Sequence, residues 1–244
     1  MILPLPSKKL IKKVYENDYL CKKLQPHIGV DSRVRYSKEY RPTVFAEYAM
    51  SLEDLGVKPS EVKSILDFGC ADGIFLEFCE KYFSPKTVLY GADISKDMLE
   101  QAKRKAWNVV HIDDIKKLKK KFDLITLWDV IEHVEAPAVV ISSLKKFLNP
   151  KGKILLETPR FGVLAEFSGE NWPHLLPVQH LSVASKEGMQ KLARRTGFKI
   201  DRHCSFGANA PSAVIPQPYK KIFDQMAKKL DFGDVQILTL KLEK

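Results

Sequence analysis

A chain of 244 residues is long enough for one domain of ordinary size with a full core and too short for two large ones. With 45% hydrophobic and 29% charged residues the composition is that of a soluble globular protein, which excludes disordered and fibrous classes. The formal net charge of +10 rests mainly on lysines that fall in pairs along the whole chain, with KKLKKK at Lys116 to Lys121 the densest cluster. Such a surface can attract phosphates, nucleic acid or anionic lipid, or be a solvated lysine-rich surface, which the dispersed pairs and the scarcity of arginine favour.

In chain order, MILPLPSKKLIKK places its lysines after a short apolar patch with two prolines, the wrong order and length for a signal peptide. No apolar run approaches the roughly 18 residues that cross a bilayer. Residues 1–38 read as an N-terminal cap, and 39–244 as the main domain. Cys21, Cys70, Cys79 and Cys204 are scattered, with neither metal-ligand spacing nor disulfide density, so the expected location is a reducing cytoplasm.

From Glu39 to Leu55 apolar residues recur at helical spacing and stop at Gly56. Short apolar runs then alternate with amphipathic segments. KSILDF, TVLYGAD, NVVHI, FDLITLWD and GKILLET read as strands, and Ile74 to Tyr82, Lys96 to Lys105 and Ala136 to Phe147 as helices. Nearly continuous apolar strands belong to a parallel sheet covered on both faces, which predicts an α/β doubly wound fold. Pro159 to His180 has no clear periodicity and reads as an active-site lid. Beyond it, Ser185 caps a helix ending before Gly197, FKIDRHC is a strand, PYKKIFDQMAKKL a helix and DVQILTLKLE a last strand. The late strand pair predicts one antiparallel strand at the sheet edge.

The stretch SILDFGCADGIFLEF joins a strand to a helix through two glycines. Gly69 and Gly73 allow a tight turn and a close approach of ligand to main chain, before a helix that presents its first amides. Asp67 is not needed by a phosphate-binding turn and suits a ligand with an ammonium group. After the second strand, Asp93 stands where a carboxylate would hold a ribose diol.

With GADIS, NVVHIDDI, FDLITLWDVIEHV and LNPKGKILLETP following in order, residues 40 to 200 resemble the class I S-adenosylmethionine-dependent methyltransferases. The branch resembled is that of ubiquinone-type and sugar or secondary-metabolism O-methyltransferases. The resemblance implies a seven-stranded Rossmann-like sheet and S-adenosylmethionine as cofactor. It implies that Asp67, Gly69, Cys70, Ala71 and Gly73 line the methionine part, with Ala71 where the family often has glycine. Asp93 would bind the ribose and Ile94 pack near the adenine. Asp113 or Asp114 would meet the adenine amino group beside Ile115, and Leu127 and Trp128 would sit near the sulfonium.

Methyl transfer is an in-line displacement, and an oxygen acceptor gains from a base or metal that lowers its pKa. Asp129, Glu132 and His133 follow the fourth strand and share a face if a helical turn begins there. His180 follows the lid. Glu132, His133 and His180 are the candidate catalytic residues. Some relatives hold a divalent metal with such a set, which leaves metal binding and loop ordering as alternatives for the same residues. His174 is a weaker candidate, His111 reads as packed, Trp172 and Trp128 read as walls, and Tyr36, Tyr40 and Arg41 would close over the cofactor from the cap.

The leading expectation is transfer of a methyl group to oxygen of a small-molecule acceptor. Alternatives are an RNA 2′-O-methyltransferase, which the basic balance supports, and a noncatalytic S-adenosylmethionine-binding subunit. A nicotinamide dehydrogenase fits Asp67 and the later motifs poorly.

Overall fold

The computed structural model describes residues 39–103, 105, 107–176, 179–207 and 219–243. The N-terminal cap, Tyr36 included, lies outside the described residues. Helix α1 spans Arg41–Asp54, with Pro42 in its first turn, and its buried face is Val44, Tyr48, Ser51 and Leu52. Then come β1 (Ser64–Phe68), α2 (Ile74–Tyr82), β2 (Val88–Asp93), α3 (Lys96–Lys103), β3 (Asn108–His111) and β4 (Phe122–Trp128). The second half holds α4 (Pro137–Leu144), β5 (Leu148–Pro159), α5 (Val163–Ser168), α6 (Lys186–Arg195), β6 (Phe198–Phe206), α7 (Tyr219–Leu230) and β7 (Val235–Leu242).

The seven strands form one sheet in the order β3-β2-β1-β4-β5-β7-β6. Strands β1 to β5 pair in parallel. The antiparallel strand is β7, which lies between β5 and the outermost β6 and pairs with both. The fold is therefore the mostly parallel, Rossmann-like sheet expected, with antiparallel pairing confined to one edge. Strand order reverses beside β1, between the β2 and β4 crossovers, and a crevice at such a switch is where open α/β sheets bind ligands.

Alternate side chains of the strands feed two cores. On one face Leu66, Ile125, Leu127, Ile154 and Leu156 pack with Ile141 and Leu144 of α4 and Met189 and Ala193 of α6. On the other, Ile65, Leu124, Trp128 and Leu155 pack with α1 and with Phe75 and Phe78 of α2. Both faces are covered, which is why the strands read as unbroken apolar runs.

Ser185 caps α6 as expected, its Oγ accepting from the Gly188 amide at 3.1 Å. The lid is more ordered than its lack of periodicity suggests, with α5 followed by a 3-10 turn at Gly169–Asn171. Six residues are too few to display a helical repeat in sequence. The turn after β4 is a 3-10 helix, Ile131–His133, and starts later than a turn that would align Asp129 with Glu132 and His133.

Candidate active site

The first part of the site lies at the carboxyl ends of β1, β2 and β3. Gly69 and Gly73 sit at φ +87° and +86°, conformations that favour glycine. A Cβ at 69 would lie 2.5 Å from Val130, and one at 73 would lie 2.2 Å from the Trp107 ring. Ala71 adopts a left-handed conformation as well, φ +46°, without glycine's freedom. Its amide donates to Asp93 Oδ2 at 2.9 Å, and the Ser95 amide donates to Asp93 Oδ1 at 2.7 Å. Asp93 thus clamps the glycine turn to the end of β2. Each carboxylate oxygen has a second lone pair, so two hydroxyls could still be received. Burial raises the pKa of Asp93, and the donated amides counter it.

Asp67 is 2% exposed. Thr126, its register partner on β4, donates its hydroxyl at 2.7 Å. Burial pushes the Asp67 carboxyl up to about 7, and the negative charge of Asp93 adds to the rise, while the Thr126 bond opposes it. A buried acid poised there would ionise beside an arriving ammonium group. Arg41 of α1 pairs with Asp72 at 3.1 Å and with Glu77, which fastens α1 across the glycine turn. Tyr40 packs on the core beneath it. Cys70 is buried, its thiol pKa raised by burial, and faces Gly91.

Towards β3, Ile94 is 52% exposed, a large apolar side chain facing open space at the end of β2. His111 is no passive core residue. Its Nε2–H donates to the Ile94 carbonyl at 2.9 Å, and its Nδ1 accepts from the Asp113 amide at 3.3 Å. Asp113 is exposed, Asp114 pairs with Lys117 at 2.6 Å, and Ile115 is buried. Leu127 is enclosed in the α4-side core, whereas Trp128 turns to the other face and stacks obliquely on Tyr48 and Phe75, its Nε1–H without a partner. These residues fit a nucleoside cofactor: an anchored carboxylate at Asp93 and an apolar exposed platform at Ile94, beside a glycine turn with positive φ.

The second part begins where β4 ends. Asp129 is held at φ +50° by its amide bond to the Glu157 carbonyl, 3.2 Å, and its side chain is exposed. The chain then tucks Glu132 inside, at 1% exposure. Glu132 Oε2 accepts from the Thr158 hydroxyl at 3.1 Å, while Oε1 has no hydrogen bond and lies 4.0 Å from His133 Nε2. His133 Nδ1 donates to the Gln179 carbonyl at 2.8 Å, and His180 Nδ1 donates to the His174 carbonyl at 2.8 Å. A carbonyl can only accept, so both imidazoles carry their proton on Nδ1 and present Nε2 as a lone pair. The two rings meet edge to face with centroids 4.9 Å apart.

Glu132, His133 and His180 therefore bring one acceptor atom each within 4.8 Å of one another. Asp129, expected to share this group, stands outside it, because its left-handed backbone separates it from the 3-10 turn. Burial raises the Glu132 carboxyl well above the usual range, with Asp129 adding to the rise. Burial lowers His133, and lowers His180 to about 3 with His133 contributing. The donor set of one carboxylate and two imidazoles also suits a divalent cation, whose ligands are fixed by the backbone carbonyls behind them.

Sequence reasoning missed Thr126 and Thr158, the hydroxyl donors to Asp67 and Glu132. Asp67 faces Thr126 through the β1–β4 register, and Glu132 reaches Thr158 of β5 from the 3-10 turn after β4, so only the folded chain reveals either pair. It also missed that the carbonyls of Gln179 and His174 set the imidazole tautomers, a main-chain role with no residue signature.

Residues 39–203 match the family described as methyltransferase domain. The chain belongs to that family. It is 28% identical over 104 residues to the ubiquinone biosynthesis O-methyltransferase of Coxiella burnetii, covering 39% of this chain and 43% of that protein. It is 32% identical over 108 residues to the malonyl-[acyl-carrier protein] O-methyltransferase of Halalkalibacterium halodurans, covering 40% of each. The match thus spans less than half the length of these curated relatives. Among solved structures, magnesium protoporphyrin IX methyltransferase from Synechocystis shares the fold with a TM-score of 0.59 at 17% identity, covering 98% of this chain and all of that one. Among the described residues no helix is long and apolar enough to cross a membrane.

Proposed function

We propose that the protein binds S-adenosylmethionine at the ends of β1 to β3 and transfers its methyl group to an oxygen of a small-molecule acceptor. In support, Asp93 would receive the ribose hydroxyls, Asp67 would face the ammonium group, Ile94 and Ile115 would flank the adenine with Asp113 or Asp114 at its amino group, and Trp128 would wall the methionine arm. When bound, the cofactor supplies an electrophilic methyl on a sulfonium.

The observation that carries the oxygen acceptor is the cluster of Glu132, His133 and His180, in which both imidazoles turn Nε2 away from the carbonyls that fix them. With both Nδ1 atoms tied to carbonyls, an Nε2 lone pair can accept a hydroxyl hydrogen and orient the oxygen, and the buried pocket excludes water. The relatives named as O-methyltransferases point the same way. The same three ligand atoms support a second reading in which a divalent cation polarises the hydroxyl.

Calorimetric titration of metal-stripped protein with S-adenosylhomocysteine, then with manganese and magnesium, tests both. Binding of S-adenosylhomocysteine with a ribose-dependent loss in Asp93→Ala supports the cofactor assignment. Manganese binding that disappears in His133→Ala selects the metal reading; cofactor binding with no cation uptake selects the imidazole base. An intact cofactor site with no turnover on any hydroxyl acceptor would favour a noncatalytic subunit.

A further inference from the structure

A cavity of about 430 Å³ lies under α5 on the lid side of the site. Its walls are Phe161, Ala165, Leu175, Leu176 and the ring of Trp172, and His174 and His180 stand among them. His180 belongs both to this cavity and to the cluster with Glu132 and His133, so the cavity opens one side chain away from the buried carboxyl group. Two polar atoms of the lining are buried without a hydrogen bond: the Trp172 Nε1–H, on a residue 4% exposed, and His174 Nε2, which lies 3.7 Å from Asp234 Oδ2. Buried donors of this kind normally have partners. The Trp172 Nε1–H is itself enclosed by protein, so Trp172 meets the cavity through other atoms of its ring.

The charge of the lining opposes that of the molecule as a whole. The protein carries +10, yet the described lining residues include no lysine or arginine and do include the carboxylates of Glu166 and Glu170, both exposed. A phosphorylated ligand would meet two like charges and no counterion. A sugar would lay hydroxyls against Phe161, Leu175 and Leu176 and lose their hydrogen bonds to water. The volume falls toward the lower end of the range for small-molecule sites, about 300 to 1,000 Å³.

From these features we infer that the cavity is the acceptor subsite, and that it takes an uncharged aromatic alcohol of one or two fused rings, with its hydroxyl toward His180 and its rings against Phe161, Leu175 and Leu176. The assignment rests on the methyltransferase reading for its role and on the cavity alone for its ligand class. It places nucleic acid outside this pocket, whatever the lysine pairs meet.

Equilibrium dialysis of the full chain against 1-naphthol, 1-naphthyl phosphate and methyl β-glucoside tests it without requiring turnover. The expected result is saturable 1-naphthol binding at least about tenfold tighter than that of the phosphate, since a dianion would face two carboxylates. Ala165→Trp fills the cavity and should weaken 1-naphthol about tenfold or more, with S-adenosylhomocysteine affinity unchanged. Exchange of both exposed carboxylates, Glu166→Lys with Glu170→Lys, should shrink or reverse the preference over the phosphate, and carries the test if the filled variant fails to fold. Equal binding of 1-naphthol and its phosphate by the native chain would overturn the inference, as would 1-naphthol binding that a folded Ala165→Trp variant leaves intact. Binding of 1-naphthol without S-adenosylhomocysteine would keep the cavity assignment and remove the methyltransferase reading; the reverse pattern would do the opposite.

Discussion

The two halves of the site are built by different means. Around the glycine turn, a carboxylate, Asp93, is held by amides two and twenty-two residues away, and the geometry follows from one loop and two adjacent strand ends. Around Glu132, the imidazoles of His133 and His180 are set by carbonyls of the lid, forty-six residues from His133, and the carboxyl group is buried under a strand β5 hydroxyl. The first half is an anionic cradle suited to a cationic ligand. The second is a buried cluster of one carboxyl group and two imidazoles, suited to a hydroxyl or a cation. One half is fixed by its own main chain, and the other by carbonyls of the segment 159–180, far away in sequence.

If that division holds, the largest effect should come from the lid-side cluster. Glu132→Gln or His133→Ala should slow methyl transfer to an aromatic alcohol about 10²-fold or more, the usual range for a lost acid–base group, while S-adenosylhomocysteine affinity changes less than about twofold. Radiolabelled methyl incorporation beside calorimetry would reveal a mixed effect, which would break the separation. Next in size, Gly73→Val should cost about 2–3 kcal/mol by thermal melting, from a φ of +86° and the clash with Trp107, and should weaken cofactor binding with it.

A smaller effect concerns pH. Asp67 titrates at about 7, and a cationic ligand binds its ionised form, so S-adenosylmethionine affinity should rise as pH increases from 6 to 8, by up to about tenfold per unit below 7. Binding below pH 7 should release a proton, seen as buffer-dependent heat, and Asp67→Asn should abolish that dependence. The smallest effect sharpens the lid side. His180 is neutral in the fold down to about 3 but takes a proton near 6.5 when unfolded. Between those values the unfolded state binds more protons, so the native chain loses stability as pH falls below about 6.5. His180→Gln should lose less on going from pH 8 to pH 5, and an identical loss would mean that the imidazole is not buried neutral.

The cradle was legible because its information is local. Asp67, Gly69, Gly73 and Asp93 fall at strand ends that the apolar runs mark out, and a positive φ or a clamped turn leaves a residue-type signature. Glu132, His133 and His180 could be named from their chemistry, but not their arrangement. Asp129 looked equivalent to them at helical spacing, and its left-handed backbone takes it out of the cluster. Thr126 and Thr158 were invisible because a hydroxyl in a strand is unremarkable until the fold brings a carboxyl group to it, by strand register for Asp67 and by the turn after β4 for Glu132. Helix α5 escaped notice because a single short turn has no period, and with it went the cavity it covers.

The most direct test of the account is a titration of S-adenosylhomocysteine into the native chain and into Asp93→Ala. Asp93 both fastens the Ala71 and Ser95 amides and would receive the ribose, so native binding with at least about a 30-fold loss in the variant is the expected result, two charged hydrogen bonds' worth of affinity. Native protein that fails to bind, or a variant that binds equally well, would contradict the assignment of the β1 to β3 ends as the cofactor site.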